Sequence, residues 1–245
     1  MDRSVYAVES QVQETHWWFV GRRTLFRKTL QGLKLPRAAA ILDVGTSTGA
    51  NLRLLQDMGF ANVCGLDPSD EAIRYCRERQ LAPVRQGDVC AMPFLDAQFD
   101  LVLATDIIEH VDDDAQALRE IRRVLKPSGW ALLTVPAFAS LWGLQDDVAH
   151  HKRRYRHREL LQKLQTAGLR KHESFYFNFF LFSPIWAARQ VLPLLPVELK
   201  SENQINSSLI NRLLKVVFLA DVISARTLHV PFGVSLLALV ARDAT

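Results

Sequence analysis

The 245-residue chain is 49% hydrophobic and 23% charged, an ordinary globular composition that argues against disorder and fits one α/β domain with an insertion, or two small domains. Its net charge of +4 falls short of the clustered basicity of most nucleic-acid binders. Three cysteines, Cys64, Cys76 and Cys90, form no CxxC pair, which excludes a disulfide framework and points to a reducing cytoplasm.

The N-terminus reads MDRSVYAVESQ, without the apolar run of a signal peptide, so none is expected. Residues 10–33 carry apolar and aromatic residues at helical spacing and predict one or two helices, stopped by Pro36. A buried strand is expected at 39–45, then a helix at 50–60 stopped by Gly59 and a strand at 62–67. A helix at 69–80, capped by Ser69 or Asp70, leads to a short strand at 82–88. A strand at 99–106, a helix at 115–127 stopped by Pro127, and a strand at 129–136 complete the run. Such alternation predicts a parallel, doubly wound sheet with right-handed crossovers. Its ligand site lies outside the carboxyl ends of the strands.

Beyond residue 137 the pattern changes to a loop, a helix at 157–168, an apolar strand near 171–180 and a final strand at 230–243. The expected organisation is a single domain over 1–245. It comprises a helical lid (1–37), a cofactor-binding core (38–136), a substrate-side loop, helix and strand (137–180), a helical insertion (181–229) and the last strand (230–245). The apolar segment 175–197 is interrupted by Pro184, Arg189 and Pro193, whereas a spanning helix needs roughly 20 mainly apolar residues. It reads as buried or pocket-lining, with an interfacial or a spanning position as the alternatives.

The first strand runs into ILDVGTSTG (41–49), where Gly45 and Gly49 bracket a loop that opens a helix. A dinucleotide fingerprint requires G-x-G-x-x-G; Ser47 and Ala50 stand where its second and third glycines would be, which argues against NAD and an oxidoreductase. The Asp43 carboxylate would repel a phosphate but suits a cationic ligand. Asp67 ends the second strand, where an acid accepts hydrogen bonds from ribose hydroxyls. Asp88 and Val89 end the third, where an acid can accept from an adenine amino group beside an apolar wall. Adenine, ribose and a positive tail without phosphate describe S-adenosylmethionine.

LDVGTSTG, GLD (65–67), GDVCAMPF (87–94), FDLVLATDIIEHVDD and EIRRVLKPSGWALLTVP follow in this order. With them the chain resembles the class I S-adenosylmethionine-dependent methyltransferases, strongly over 38–136 and more loosely to 245. The resemblance implies a Rossmann-like sheet, mostly parallel with an antiparallel last strand. It implies S-adenosyl-L-methionine as cofactor and S-adenosyl-L-homocysteine as product. Cofactor-binding roles carry over to Asp43, Gly45, Thr46, Gly49, Asp67, Pro68, Asp88 and Val89, with Thr105 and Asp106 near the methionine end. Ser47 departs from the family's usual glycine.

HWWFVGRR (16–23) and LWGLQDDVAHHKRRY (141–155) resemble flanks of bacterial small-molecule methyltransferases. His16, Trp17, Trp18 and Phe19 either cover an acceptor or pack a helix on the sheet; Trp142 and Arg154 join them as expected acceptor contacts. Arg22 and Arg23 either meet a cofactor carboxylate or face solvent. The basic run Lys152, Arg153, Arg154, Arg156 and Arg158 is a solvated face, a lure for an anionic substrate, or a contact to an anionic surface.

Methyl transfer is an in-line displacement, so the protein mainly aligns a nucleophile and excludes water. A base is needed only for an acceptor that arrives protonated. His151, His110 and Tyr155 are the candidates, with Glu109 and His16 behind them. Asp106, Glu109 and His110 in DIIEH have a spacing that could set three metal ligands on one helical turn; a structural role is preferred and no metal is expected. The expected function is methyl transfer to an N or O nucleophile of a small molecule, such as a heteroaromatic or phenolic intermediate. The alternatives are a lipid-linked or isoprenoid acceptor at a membrane surface, and a non-catalytic adenosyl-binding accessory protein. No nucleic-acid partner is expected, membrane association is not favoured, the location is cytoplasmic and the oligomeric state is open.

Overall fold

The structure, a computed structural model, describes residues 12–191 and 208–243. In chain order it contains α1 (Trp17–Leu33), β1 (Ala40–Val44), α2 (Ala50–Asp57), β2 (Asn62–Asp67), α3 (Asp70–Glu78), β3 (Val84–Gln86), β4 (Phe99–Thr105) and α4 (Asp114–Val124). Then follow β5 (Leu125–Pro136), a 3₁₀ turn (Ala139–Leu141), α5 (Leu144–Val148), α6 (His157–Thr166), β6 (Leu169–Phe177), α7 (Phe182–Val191), α8 (Ser208–Leu228) and β7 (Ser235–Arg242).

The strands form one sheet in the order β3-β2-β1-β4-β5-β7-β6. β1 to β5 run parallel, and β7 inserts antiparallel between β5 and β6. The chain reverses direction across the sheet between β1 and β4, which is where a doubly wound sheet opens a crevice. Strands buried on both faces read as continuous apolar runs; Leu101–Ala104 and Leu236–Val240 are fully covered on that account. One core, with Leu42 and Val44, packs under α4 and α6. The other, with Ile41 and Leu103, packs under α1, α2 and α8.

Several boundaries differ from expectation for local reasons. α4 stops at Val124, not at Pro127, because the residue before a proline is pushed out of helical geometry and Leu125 is already extended. β5 therefore starts at Leu125, and its register with β4 jumps between Phe99 and Leu101 to absorb the extra residues. Ser69 makes no side-chain cap on α3; its N–H donates instead to Asp67 Oδ1 at 2.9 Å. β6 ends at Phe177 because Asn178 turns left-handed with φ 62°. The Asp221 carboxylate of α8 holds that turn, accepting from the N–H groups of Asn178 (2.7 Å), Phe179 (2.6 Å) and Phe180 (3.1 Å).

The expected insertion supplies α7 and α8; its residues 192–207, like residues 1–11 of the expected lid, lie outside the described residues. α8 is clasped to α1. The Trp17 N–H donates to Asn211 Oδ1 at 2.7 Å, and Asn211 Nδ2 donates to the Thr15 carbonyl at 3.0 Å. Phe218 stacks on Trp18 with ring centroids 5.2 Å apart. Gly21 leaves room for that ring, since a Cβ there would lie 2.1 Å from Phe218 Cδ1. Among the described residues no helix is long and apolar enough to cross a membrane.

Candidate functional site

A cavity of about 750 Å³ opens at the carboxyl ends of β1, β2 and β4 and runs under α1, α7 and α8. That size is in the range of small-molecule sites. Its two ends have different chemistry.

At the first end, the β1–α2 loop turns back on itself. Gly45 adopts φ 70° and Gly49 φ 83°, left-handed values that glycine takes without steric cost. A Cβ on Gly45 would sit 1.9 Å from Ile107 Cδ1. Ser47 adopts φ 48° between them and donates its N–H to Asp67 Oδ2 at 2.9 Å. With Ser69 on the other oxygen, Asp67 is fixed by two backbone donors and still keeps a free lone pair on each oxygen. Burial raises the Asp67 carboxyl, and the two backbone bonds oppose that rise. Asp88 accepts from the Cys90 N–H at 2.8 Å. Thr46, Pro68, Asp88, Val89, Thr105 and Asp106 line the cavity with Gly45 and Asp67.

Asp43 and Gly49 do not line it. Gly49 caps α2 from behind, packed against Leu81 and Cys76. Asp43 is fully buried one layer below; Asn51 Nδ2 bonds both Asp43 Oδ1 and Thr105 Oγ1 at 2.9 Å. Burial pushes the Asp43 carboxyl up to about 7, and its second oxygen has no hydrogen-bond partner among the described residues. Asn51, which sequence reasoning passed over, thus ties the ends of β1 and β4 together. Acids fixed at two adjacent strand ends beside a glycine-cradled loop fit the ribose and adenine of an adenosyl ligand.

At the other end, His16, Trp17, Trp18 and Phe19 line the cavity. They also pack: His16 caps α1 through Nδ1, and Trp18 stacks between Phe218 and Phe177. The two readings of this cluster therefore meet in the same side chains. Arg22 lines the cavity and is mostly shielded from solvent; it lies over Trp18 and Phe26 and pairs with Asp106 at 2.6 Å. Arg23 bonds the Gln13 carbonyl.

The 141–155 loop brings in a buried acid that the sequence did not single out. Asp146 accepts from His151 Nδ1 at 2.8 Å, from Arg154 at 2.8 and 3.0 Å, and from the Gly143 N–H at 2.8 Å. Burial works against its ionisation, but these donors outweigh it and hold the carboxyl at about 2. An ionised Asp146 can only accept, so His151 donates its Nδ1–H to it and the other ring nitrogen, Nε2, is left out of this bond. His110 sits edge-on to His151 with centroids 4.7 Å apart, and burial, then His151, lowers it to about 4.

Two more expected site residues, besides Asp43 and Gly49, lie outside the cavity. Tyr155 is fully buried outside the cavity, its OH donating to Asp114 Oδ2 at 2.8 Å. Burial and that carboxylate push its ionisation upward, so it has no access to a reacting atom. Trp142 lies outside the lining, its Nε1–H donating to Asp147 at 2.9 Å. Arg154 does line the cavity, but Asp146 and the Ala137 carbonyl occupy it. Lys152 and Arg153 likewise pair with Asp112 and Asp114, so the middle of the basic run ties loops together.

The DIIEH stretch is not a helical turn. Asp106 is left-handed, with φ 56°, and is engaged by Arg22 and Thr134. The group whose ligand atoms lie within 4.8 Å of one another is Glu109, His110 and His151. Glu109 is fully buried, and burial, then Asp106, raises its carboxyl well above the usual range. Asn178, also buried and lining the cavity, has neither amide atom bonded among the described residues.

Residues 42–133 match a family model described as a methyltransferase domain. The chain is 29% identical over 160 residues, 63% of its length and 60% of the relative's, to a "Probable S-adenosylmethionine-dependent methyltransferase" of Mycolicibacterium smegmatis. It is 33% identical over 124 residues to a malonyl-[acyl-carrier protein] O-methyltransferase of Pseudescherichia vulneris, covering 48% of this chain and 49% of that one. The chain thus spans about half to three fifths of the curated relatives it matches. Among solved structures, a chain of the Haloferax volcanii complex between the Trm112 methyltransferase activator and a methyltransferase superposes with a TM-score of 0.64 at 20% identity, covering 98% of this chain and 95% of that one. A "putative sarcosine dimethylglycine methyltransferase" of Galdieria sulphuraria gives 0.61 at 18% identity, covering 90% of this chain and 84% of that one. The match to a methyltransferase domain thus covers residues 42–133, and the chain has the fold of solved S-adenosylmethionine-dependent methyltransferases, whose cofactor is S-adenosylmethionine.

Proposed function

We propose that this protein transfers a methyl group from S-adenosylmethionine to an N or O nucleophile of a small molecule with an apolar body and a polar reacting end. The observation that carries this reading is one cavity joining Asp67 and Asp88 at the strand ends to the Asp146–His151 pair. S-adenosylmethionine, when bound, supplies a methyl group already activated on a sulfonium.

The chain's own residues bind, orient and take up a proton. Asp67 offers its remaining lone pairs to vicinal hydroxyls, and Asp88 with Val89 offers an acceptor beside an apolar wall. Trp17, Trp18 and Phe19 present flat apolar surface on which an aromatic acceptor would stack. Asn178 offers a donor and an acceptor together. An acceptor O–H or N–H would pass its proton to His151 Nε2, while Asp146 holds the ring and stabilises the imidazolium that forms.

The test is release of S-adenosylhomocysteine and label transfer from methyl-labelled S-adenosylmethionine to a panel of phenols and heteroaromatic amines. Transfer that survives in Tyr155→Phe but fails in His151→Ala supports the assignment. Binding of S-adenosylhomocysteine with no transfer to any acceptor favours a non-catalytic adenosyl-binding role.

A further inference from the structure

Helix α8 is apolar on two opposite sides. Its inner side carries Phe218, Val222 and Ala225, buried in the core it shares with α1. Its outer side carries Leu209, Leu213, Val216, Ala220 and Ile223, spaced by four and three residues and so aligned along about four turns. Leu209 is 77% exposed, Leu213 63%, Val216 62% and Ile223 59%. Trp186 and Val191 of α7 are exposed as well. A helix that is apolar all round needs an apolar environment on both sides, and a contiguous exposed patch of this kind marks an interaction surface.

Arg189, Arg212, Lys215 and Arg226 are the cations of α7 and α8, and Asp221 is their one acid. The Arg189 side chain is buried beside Asp146, at 3.6 Å, and Arg226 pairs with Glu173 at 2.5 Å, which leaves Arg212 and Lys215 as the charge of this face. Asp221 is buried and spent on the backbone of the Asn178 turn. By helical position Arg212 lies about 60° from the centre of the apolar line and Lys215 about 120°, both on the same flank. An anionic surface would meet Arg212 and Lys215 on that flank while the apolar line beside them enters an apolar layer, the arrangement of helices that lie in a bilayer interface. Because no described helix is able to cross a membrane, the contact is with the surface.

The same two helices turn Ile185, Ala188 and Leu214 into the cavity. We infer that α7 and α8 lay this chain on an anionic lipid bilayer, Leu209–Ile223 at the acyl boundary and Arg212 and Lys215 among the headgroups, and that the methyl acceptor is an amphiphile taken from that layer. The second half of this inference rests on the methyl-transfer reading; the lipid contact does not.

The experiment is flotation of the full chain with vesicles of phosphatidylcholine alone and of phosphatidylcholine and phosphatidylglycerol in equal parts. The chain is expected to float with the mixed vesicles and stay behind with the neutral ones. Leu213→Glu/Val216→Glu should abolish flotation. Arg212→Glu/Lys215→Glu should lower the bound fraction at least tenfold, since each cation near such a surface is worth about a fivefold change. None of these side chains lines the cavity, so every variant should bind S-adenosylhomocysteine as the wild type does, which also certifies folding. Failure to float with either vesicle, flotation unchanged by the glutamates, or a wild-type dimer that Leu213→Glu/Val216→Glu splits would each overturn the inference. Loss of S-adenosylhomocysteine binding by the wild type would strike the methyl-transfer reading and leave the flotation result standing.

Discussion

The two ends of the cavity are built by different means. The strand-end side takes Gly45, Ser47, Asp67, Asp88 and Asp106 from the few residues that follow β1 to β4, and backbone groups fix most of them. The opposite side is gathered from α1, the 106–111 turn, the 141–155 loop, the Asn178 turn, α7 and α8, and side chains fix one another. The first is a property of a parallel sheet, where each strand delivers its next residue to one rim. The second depends on contacts such as Trp18 on Phe218 and His151 on Asp146, which link positions far apart or within an irregular loop.

This difference can be broken from either side. The largest effect is expected at the gathered end. His151→Ala should lower kcat on the order of a hundredfold or more and leave the dissociation constant for S-adenosylhomocysteine within twofold. Asp146→Asn should also lower kcat, by less, and should alter its pH profile because the ring loses its ionised acceptor. An equal loss of cofactor affinity in His151→Ala would dissolve the division between the two ends.

The next effect comes from beneath the strand ends. Asp43 in the folded chain stands at about 7, against 3.8 for the unaltered group. The folded state therefore holds a proton that the unfolded chain has released between these values. Its stabilising contribution is complete below about 4 and is lost as the pH rises through about 7. Urea titrations from pH 5 to pH 8 should show the wild type losing stability relative to Asp43→Asn, by up to about 2.7 kcal/mol, the part of the shift between pH 5 and about 7. A constant difference across that range would contradict the buried, protonated acid.

Asp67→Ala should weaken S-adenosylhomocysteine binding by about 2 kcal/mol, the scale of hydrogen bonds to a charged group, with little change in the KM for the acceptor. Smallest of all, Ser47→Gly should stabilise the chain by about 1 kcal/mol, since it relieves a left-handed residue with a Cβ at φ 48°. A lower thermal midpoint for this variant would mean that the serine side chain holds the loop in place.

Much of the fold was legible because local signals agreed. Apolar runs at the pitch of a doubly wound sheet gave seven strand positions, and the antiparallel final strand lies where the resemblance implied. The boundaries that moved did so through tertiary or backbone effects, as with Asp221 gripping the Asn178 turn. At the strand-end side of the site, position in sequence largely equals position in space, so Asp67, Asp88 and Asp106 could be read directly. Asp146 could not, because a buried acid in a loop declares itself only once His151 and Arg154 converge on it. Tyr155 misled for the converse reason: it adjoins Arg154 in the chain, yet its side chain turns into the core beneath Asp114. Glu109 and Asn178 stood in view, but their lack of partners is visible only in three dimensions.

The account stands most directly on what the cavity binds. Calorimetric titration of the wild-type chain with S-adenosylhomocysteine and with NAD should give one saturable site for the first and no heat of binding for the second, with the S-adenosylhomocysteine isotherm weakened about thirtyfold by Asp67→Ala, the equivalent of about 2 kcal/mol. Binding of NAD in preference to S-adenosylhomocysteine, or an isotherm that Asp67→Ala leaves unchanged, would contradict it.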